Sequence, residues 1–532
     1  MSIAITILMA IALLANAAVS CVHALHMFQQ NRYELPRFTE WLLTQKKKVL
    51  HRILFPAVFL VAALFLMMIL EQTSIPYAAY FLLVILAGCS AAVLWKKEMR
   101  TKYIKPLVYT GRVKRQIVLL ALLNILWVVL VLWNSSIITA WIGMILCFIL
   151  PWILIYPMAW ITEPIENAVK KHYQKLAADI LLERPDLIKI GITGSFGKTS
   201  TKNIMQSVIS VRYQSLMTPA SYNTPMGITR TIREMLKPID RVFICEMGAD
   251  HVNDISELMD FVKPSIGVVT SIGPQHLNTF GSLQNIIDEK MKMIEMLPKD
   301  GTGIINIDNE YIRDYKIQNP VAIITYGIHC LNADYRASEI QYSAEGSTFH
   351  ILHADEDIPM QTRLLGELNI LNILSAAAAA RYLDIPWTDI QKAVRDMKQV
   401  EHRLEMKKIN GYTFIDDAFN ANPKGSSMAL EVLKGMSGRR FIVTPGMIDL
   451  GEKQDEINHS FGMKMKGCAD EVILVGQQQT ASIDRGLKDS GFERKHVHIA
   501  ATEKEAFALV YRIATREDTI LLENDLPDAF NQ

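Results

Sequence analysis

The chain has 532 residues, with 55 Lys and Arg against 54 Asp and Glu, and 50% of its residues are hydrophobic. A mean hydropathy of +0.17 is high for a soluble enzyme, and the near-neutral charge, without a basic cluster outside the loops between apolar runs, gives no indication of a nucleic-acid partner. The six cysteines lie far apart without a CxxC spacing, which predicts buried thiols rather than disulfides or a zinc site.

Five apolar runs precede position 160. Each is long enough to cross the hydrocarbon core of a bilayer, which needs roughly 20 apolar residues. The first run lacks a basic start and is followed by further runs, so we interpret it as an anchor and not as a cleaved signal. Region 1–160 is therefore predicted to be a transmembrane domain of about five helices, with the lipid bilayer as a partner. The runs lie at 3–25, 53–70, 77–95, 117–133 and 137–159.

The charges of the loops between these runs predict an orientation. Six Lys and Arg lie between 32 and 52 and eight between 96 and 115, whereas 71–76 and 134–136 contain none. Because basic loops are retained on the cytoplasmic side, the start of the chain is expected outside and everything after the fifth run in the cytosol. The sequence thus predicts a multi-pass cell-membrane protein whose catalytic domains are cytoplasmic, where ATP is available.

The remainder is expected to comprise a helical, charged linker at 161–187 and two α/β domains, at 188–400 and 401–532, because about 345 residues suffice for two domains. In the first of these, short apolar runs at 188–193, 242–247 and 266–271 predict buried parallel strands. Each run is followed at once by polar or glycine-containing residues. Since ligands bind beyond the carboxyl ends of such strands, the three loops are expected to meet at one site.

The first of these loops, Gly194-Ser-Phe-Gly-Lys198-Thr199-Ser, has the features of a phosphate loop. Small residues let backbone amides approach phosphate oxygens, Lys198 supplies a positive clamp, and Thr199 offers a hydroxyl ligand for Mg²⁺. The strict pattern GxxxxGK[ST] is not met, because Ile192 stands where it requires glycine. Phosphate binding is predicted, and a chance glycine turn is the alternative.

Two further residues are candidate metal ligands. Glu246 interrupts an apolar strand near its end, and a buried carboxylate is costly unless it is paired or bound to a cation. Magnesium coordination would account for it, and a solvent-facing Glu at the strand end is the alternative. His276, after the third strand, would by itself be an ordinary loop residue, and its neighbours make it a candidate ligand.

Lys290 lies on the apolar stripe of the segment 282–297 at helical spacing, whereas Lys292 lies almost opposite. An ammonium group on a buried face needs a partner, or chemistry that removes its charge. Carbamylation by CO₂ would remove the charge and create an anionic metal ligand. From the spacing alone, a lysine that snorkels to solvent accounts for the position as well.

With these residues the chain resembles the Mur ligase family, ATP-dependent enzymes that form amide bonds in peptidoglycan synthesis. DDAFNANP and GMIDLGE are most similar to the branch that adds D-alanyl-D-alanine to the UDP-muramoyl tripeptide. The matching strings, in family order, are GSFGKTSTK at 194–202, SYNTPMGIT at 221–229, EMGADHVNDI at 246–255, HLNTFGSL at 276–283, GELNILNILSAAAA at 366–379, EHRLE at 401–405, DDAFNANP at 416–423 and GMIDLGE at 446–452.

The resemblance implies a role for each matching residue. It implies ATP and Mg²⁺ as cofactors, and a carbamate on Lys290. The implied catalytic residues are Lys198, Glu246, His276 and Lys290. The implied metal ligands are Thr199, Glu246, His276 and the modified Lys290. The implied ATP contacts are Gly194, Ser195, Gly197, Lys198, Thr199, Ser200, Asn369 and Asn372 beside the adenine, and Arg403 and Asp417 from the last domain. The implied substrate contacts are Ser221, Asn223, Thr224, Asn420 and Asn422.

Three departures from the family pattern stand out. Membrane runs replace the domain that holds the UDP part of the acceptor. Leu368 stands where the adenine motif has histidine, and the chain ends in ILLENDLPDAF instead of a glycine- and arginine-containing segment. The last domain otherwise shows strand runs at 412–417, 440–445, 471–476, 496–500 and 519–523, which alternate with helical segments and predict a doubly wound, Rossmann-like α/β domain.

The resemblance therefore implies an acid–amino-acid ligase. ATP would activate a peptide carboxylate as an acyl phosphate for attack by an amino acid or a dipeptide such as D-Ala-D-Ala. The acceptor would be a UDP-linked or lipid-linked muramoyl peptide. Two alternatives remain at this point: a similar ligase for another polymer, such as poly-γ-glutamate, or another amino acid, and an ATP-dependent transport or scaffold protein of the membrane. The number of apolar runs favours the transport protein, and DDAFNANP and Lys290 oppose it.

Overall fold

The computed structural model describes residues 3–45, 49, 76–101, 103, 106–133, 137–220, 222–275, 277–343, 345–398, 404–417, 423–447, 450 and 453–524. The chain divides into two compact units, Met1–His172 and Tyr173–Gln532. The first is helical and the second contains two β-sheets.

Four of the described helices in the first unit match predicted apolar runs, and a fifth, Leu35–Thr44, lies between the first and second runs. Among the described residues, three stretches are long and apolar enough to cross a membrane, at Thr6–Gln30, Gly111–Trp133 and Leu146–Leu182. They correspond to the first, fourth and fifth runs. The second run lies outside the described residues, and the third lies in α3. The described helices are α1 (Ile3–Gln30), α2 (Leu35–Thr44), α3 (Pro76–Arg100), α4 (Gly111–Trp133) and α5 (Ile137–Leu182).

The helix α4 is apolar on its buried face and on its exposed face. One face buries Leu120, Asn124 and Val128, and the opposite face exposes Leu122 and Leu126 by 58% and 57%. A helix that is apolar all round suits a lipid environment. The helix α5 contains three internal prolines, which membrane helices tolerate. It continues through the predicted linker to Leu182, so the helical character of that segment is confirmed.

The first sheet of the second unit has nine strands in the order β2-β3-β1-β4-β5-β6-β7-β8-β9. The strands β2 to β7 are parallel, and β7, β8 and β9 form an antiparallel end. The three predicted strands are confirmed, and they are neighbours in the order β3-β1-β4. The strands are β1 (Ile188–Thr193), β2 (Ser215–Met217), β3 (Val242–Glu246), β4 (Ile266–Val269), β5 (Thr302–Asn306), β6 (Ala322–Gly327), β7 (Tyr335–Ser343), β8 (Gly346–His353) and β9 (Glu356–Thr362).

Helices cover both faces of this sheet, so its central strands are buried on both sides and read as continuous apolar runs. In β3, Val242 and Ile244 face the core formed with α6 and α12, and Phe243 and Cys245 face the core formed with α8 and α10. The helices are α6 (Lys198–Ile209), α7 (Pro225–Met235), α8 (Asp254–Val262), α9 (Leu277–Phe280), α10 (Leu283–Glu295), α11 (Glu310–Arg313), α12 (Glu367–Tyr382) and α13 (Trp387–Arg395).

The second sheet has six strands in the order β10-β11-β15-β12-β13-β14, parallel except for β10. The five predicted strands are confirmed, and the doubly wound prediction fits cores on both faces. The elements are β10 (Glu405–Ile409), β11 (Tyr412–Asp417), α14 (Pro423–Lys434), β12 (Arg440–Thr444), α15 (Gln454–Lys464), β13 (Glu471–Val475), α16 (Ala481–Asp489), a 3₁₀ turn (Arg494–His496), β14 (Val497–Ala500), α17 (Glu503–Ile513) and β15 (Thr519–Glu523).

The edge strand β10 is the element that the sequence analysis missed in this sheet. Its lysines obscure the alternation of polar and apolar residues. The signal that was available is the dipeptide Asn410-Gly411, with φ of 54° and 87°, since Asn-Gly between two runs is typical of a tight hairpin.

Candidate active site

The phosphate loop lies between β1 and α6, and its glycines are required by the backbone. Gly194 has φ 152° and Gly197 has φ 84°. A Cβ atom at Gly194 would lie 2.1 Å from the Thr270 hydroxyl oxygen. Gly197 directly precedes α6, so the free amides of the first helical turn point into the loop, where an anion is stabilised. The loop therefore has phosphate-binding geometry although the strict sequence pattern is not met.

The loops that follow β1, β3 and β4 meet at this edge of the sheet, as the sequence predicts. Ser195 donates its hydroxyl to the Gly273 carbonyl at 3.0 Å and accepts the Gly273 amide at the same distance. On the other side, the Thr193 hydroxyl donates to the Met247 carbonyl at 3.0 Å. These bonds fix the phosphate loop against both neighbouring loops.

Lys198 lies over the phosphate loop. Its Nζ donates to the Gly194 carbonyl at 2.6 Å. Burial lowers the pKa of Lys198, against the opposing influence of the Glu246 carboxylate. Desolvation disfavours the ammonium form unless a negative charge is near. An anion at the loop would therefore stabilise the charge that Lys198 carries.

Glu246, the last residue of β3, is 1% exposed, so the alternative of a solvent-facing Glu is wrong. Its two oxygens each accept the Thr199 hydroxyl at 3.1 Å, one accepts Lys202 Nζ at 2.9 Å, and the other accepts Asn223 Nδ2 at 3.3 Å. This partner set explains how a carboxylate is tolerated at a buried strand end.

Lys202 is the residue of this cluster that the sequence analysis did not single out. It is 0% exposed and donates to both Glu246 and the Ala220 carbonyl. The signal was present, because Lys202 follows Lys198 by four residues and therefore lies on the same helix face. The tertiary contact was needed to show which of the two lysines pairs with the carboxylate.

The oxygens of Thr199 and Glu246 fit a magnesium ion that takes its other ligands from phosphate and water. Among the described residues, no group of three or more His, Cys, Asp or Glu side chains is placed to hold a metal ion. A dedicated cage made of protein ligands is thus absent from that part of the chain.

Lys290 is 1% exposed on the buried face of α10, so the alternative of a snorkelling lysine is wrong. Burial and the nearby Lys198 charge lower the pKa of Lys290 to about 7, opposed by Asp250. Lys292, by contrast, keeps 27% of its side chain exposed and pairs with Glu289 at 2.8 Å. The helical periodicity thus places the two lysines on different faces, as predicted.

The start of α12 lies beside the phosphate loop. Asn372 is buried and its Oδ1 accepts the Thr201 hydroxyl at 2.9 Å, while its Nδ2 has no hydrogen-bond partner among the residues that the structure describes. Asn369 donates to the Leu365 carbonyl at 2.8 Å. The unpaired amide of Asn372 therefore offers a donor next to the loop.

The structure describes some of the other predicted site residues, and the rest lie outside the described residues. Ser200 is buried in α6, Thr224 accepts the Gly227 amide at 3.3 Å as the cap of α7, and Asp417 accepts the Leu404 amide at 3.1 Å. The predictions for Ser221, His276, Arg403, Asn420 and Asn422 lie outside the described residues.

A phosphate loop, a buried carboxylate next to its threonine and a neighbouring lysine with a lowered pKa define a nucleotide-using α/β enzyme. Two family models match the chain: the Mur ligase middle domain over residues 192–380, and the Mur ligase, glutamate ligase domain over residues 402–523. The chain therefore belongs to the Mur ligase family. It is an ATP-dependent ligase that forms amide bonds in peptidoglycan precursors.

Known relatives cover more than half of this chain. The UDP-N-acetylmuramoyl-tripeptide--D-alanyl-D-alanine ligase of Bacillus subtilis is 28% identical over 355 residues, 66% of this chain and 75% of the relative. The enzyme of the same name from Haemophilus influenzae is 28% identical over 312 residues, 58% of this chain and 67% of the relative. The MurF ligase from Thermotoga maritima in complex with ADP has a similar fold, with a TM-score of 0.58 at 21% identity over 67% of this chain and 80% of that one.

We expect the Lys202→Met variant to lose stability by roughly 3–5 kcal/mol, because Glu246 would become a buried charge without its cation. The double variant Lys202→Met/Glu246→Gln should recover most of that loss without recovering activity, since the carboxylate is then also missing. Thermal unfolding of the purified full-length protein measures the effect. Lys299→Met, at an exposed position of the same domain, is the control, and a drop as large as that of Lys202→Met would contradict the ion-pair account.

Proposed function

We propose that the protein uses ATP and Mg²⁺ to activate the carboxylate of a UDP-muramoyl tripeptide and joins it to D-alanyl-D-alanine. The observation that carries this proposal is the cluster of Lys198, Thr199 and Glu246 at the carboxyl ends of β1 and β3, with Lys290 close enough for its pKa to respond to Lys198. The substrates are those named for the relatives from Bacillus subtilis and Haemophilus influenzae.

The proposed reaction has two bond-forming steps. One oxygen of the peptide carboxylate bonds to the γ-phosphorus of ATP and ADP leaves. The amine nitrogen then attacks the acyl carbon, and inorganic phosphate leaves with that oxygen. Lys198 and the amides at the start of α6 hold the phosphate oxygens and stabilise the charge that develops on them. Catalysis in this proposal rests on positioning and on charge neutralisation.

Thr199 and Glu246 would hold Mg²⁺, together with His276 and a carbamate on Lys290; the ion would neutralise phosphate charge. Only a neutral amine bonds to CO₂, with loss of one proton, and the burial of Lys290 brings its pKa to about 7. A large share of the side chain is therefore neutral at cytosolic pH. The carbamate would also turn a costly buried cation into an anion next to Lys198.

The remaining assignments follow the same scheme. Asn369 and Asn372 would contact the adenine. Arg403 and Asp417 would contact the nucleotide from the last domain. The remaining predicted residues would contact the substrates. Region 1–160 would be the membrane domain, 161–187 a linker, and 188–400 and 401–532 the two ligase domains. The contacts assigned to substrates are Ser221, Asn223, Thr224, Asn420 and Asn422.

The first unit would insert into the cell membrane as a multi-pass domain, with the start of the chain outside and the ligase domains in the cytoplasm. The family models match residues 192–380 and 402–523, so the first unit lies outside the matched residues. An acceptor that is already lipid-linked would suit an enzyme held at the membrane, and it is the second candidate acceptor. The transport or scaffold alternative is not retained, because the chain belongs to a family of ligases.

The assay that tests this function incubates the purified protein with ATP and either UDP-linked or lipid-linked muramoyl tripeptide, with or without D-Ala-D-Ala, and identifies products by mass spectrometry. The wild-type protein should release ADP only when both substrates are present. Lys198→Ala should abolish turnover, because the phosphate clamp is lost. Near-normal amine-dependent ADP release by Lys198→Ala would refute the phosphate-loop assignment.

Lys290→Ala should be nearly inactive, and short carboxylates such as acetate should partly restore turnover by occupying the space of the carbamate. Lys292→Ala, on the other side of α10, should keep its activity within about twofold, since the buried partner Glu289 keeps the backbone amides of Asn253 and Ile255 as donors. Initial rates with and without added acetate measure the difference. Equal losses in both variants would show that Lys290 has no special role.

The membrane topology is tested with reporters. A fusion after Gln532 should be cytosolic and an insertion within 71–76 external, because the basic loops flank the cytoplasmic ends of the spans. Protease accessibility in intact cells measures the orientation. A C-terminus that is cleaved from outside would contradict the proposal and would separate the ligase domains from cytosolic ATP.

A further inference from the structure

The helix α8 begins without a cap of its own. Its N-cap residue, Asn253, has a φ of 78° and a side chain that makes no capping hydrogen bond. The first amides of a helix have no partner within the helix, and a nearby Ser, Thr, Asp or Asn side chain usually accepts one of them. Three other helices of the same domain follow that rule: Thr224 caps α7, Ser282 caps α10 and Asn309 caps α11. The start of α8 therefore needs an acceptor from another element.

Glu289, in α10, supplies this acceptor. One oxygen of its carboxylate accepts the amide of Asn253 at 2.8 Å, and the other accepts the amide of Ile255 at 2.6 Å. Glu289 is 1% exposed, and Lys292 Nζ donates both to its carboxylate at 2.8 Å and to the side chain of Asn253 at 3.0 Å. Hydrogen bonds from amides to an ionised carboxylate are stronger than those between neutral groups. The carboxylate thus joins the start of α8 to the middle of α10.

The loop between β3 and α8 has further hydrogen bonds that fix its shape. The Asp254 carboxylate accepts the amides of Asp250 and His251, both at 2.8 Å. At the start of the loop, the Gly248 amide donates at 2.9 Å to a carbonyl of the segment before α7. The loop is therefore held at its start by that segment, is hydrogen-bonded within itself, and is joined to α10 at its far end by Glu289.

This loop and α10 carry two of the groups that would hold Mg²⁺ in the proposed function. Glu246 directly precedes the loop at the end of β3, and Lys290 follows Glu289 in α10. Both side chains are 1% exposed, so neither can adjust its position freely. Magnesium demands near-ideal octahedral geometry, and the separation of its ligands therefore has to be held closely. Glu289 is placed to hold it, because it joins the two elements that bear them.

We propose that Glu289 is a positioning residue that sets the separation of Glu246 and Lys290, and thereby the affinity of the nucleotide site for Mg²⁺. The inference rests on the proposed function, in which these two side chains help to hold the ion. The role requires a carboxylate, because its two oxygens accept two amides at once, whereas glutamine has a single acceptor oxygen in its side chain. Residues that orient the ligands of a metal ion change its affinity by about 10- to 100-fold.

The same helix contains a second carboxylate with the same kind of contact, which separates positioning from simple stabilisation. Glu295, the last residue of α10, accepts the amides of Gln318 and Asn319, both at 2.9 Å. These amides belong to the segment before β6, which carries none of the predicted site residues. A purely structural role of Glu289 would therefore make Glu289→Gln and Glu295→Gln alike in their effect on nucleotide and Mg²⁺ binding.

The test uses the full-length protein and measures binding apart from turnover. Isothermal titration with an ATP analogue in which an NH group bridges the β- and γ-phosphorus, with and without Mg²⁺, gives the factor by which Mg²⁺ strengthens nucleotide binding. Glu289→Gln should lower this factor about tenfold and leave the affinity without Mg²⁺ unchanged. The variant should still fold, because Ile255 and Leu258 of α8 pack in one core with Ile286 of α10, and thermal unfolding checks this. Glu289→Asp, which keeps the charge but shortens its reach, should lower the factor as well.

Glu295→Gln is the matched control and should leave the factor unchanged. Where the wild type turns over, the Mg²⁺ concentration for half-maximal rate should rise in Glu289→Gln, and the KM for the amine should not. An unchanged factor in either Glu289 variant, an equal loss in Glu295→Gln, or a wild type whose nucleotide binding does not respond to Mg²⁺ would overturn the inference. A Mg²⁺ effect that depends on Glu289 in a protein without ligase turnover would refute the proposed function and keep the positioning role.

Discussion

The buried carboxylate of Glu246 is the contact on which the nucleotide site depends. It ends the strand β3 and joins α6, through Thr199 and Lys202, to the segment before α7, through Asn223. A buried ion pair contributes little net stability, because both charges lose their hydration. In our proposal the presence of this pair at a strand end is explained by function, because Glu246 and Thr199 would hold Mg²⁺ beside the phosphate loop.

Lys290 and Glu523 are also buried ionisable groups, and burial shifts the pKa of each so that its neutral form is favoured. Lys290 lies in α10, which packs on the first sheet, and Glu523 is the last residue of β15 in the second sheet. Groups in this state are costly in a resting fold and are concentrated at functional sites. In our proposal the charge of Lys290 is removed by a covalent carbamate.

The helical first unit lies outside the residues that the family models match. The family models match residues 192–380 and 402–523, and the described residues include three helices that are long and apolar enough to cross a membrane. In our proposal this unit holds the enzyme at the bilayer, which is why the lipid-linked acceptor is kept as a second candidate.

The sequence by itself determined part of the secondary structure and which loops meet at the phosphate loop. Hydrophobic runs bounded by turns predicted β1, β3, β4 and five strands of the second sheet, and helical spacing separated Lys290 from Lys292, because period and burial are local properties of the chain. It missed β10, whose charges hide the alternation, and it did not predict β2 or β5 to β9. Only the tertiary structure decided that Lys202, and not Lys198, pairs with Glu246, and that Glu523 lies beside Asp417 with one oxygen that has no hydrogen-bond partner among the described residues. These are contacts between residues 44 and 106 positions apart, and sequence patterns carry no record of which distant side chains a sheet brings together.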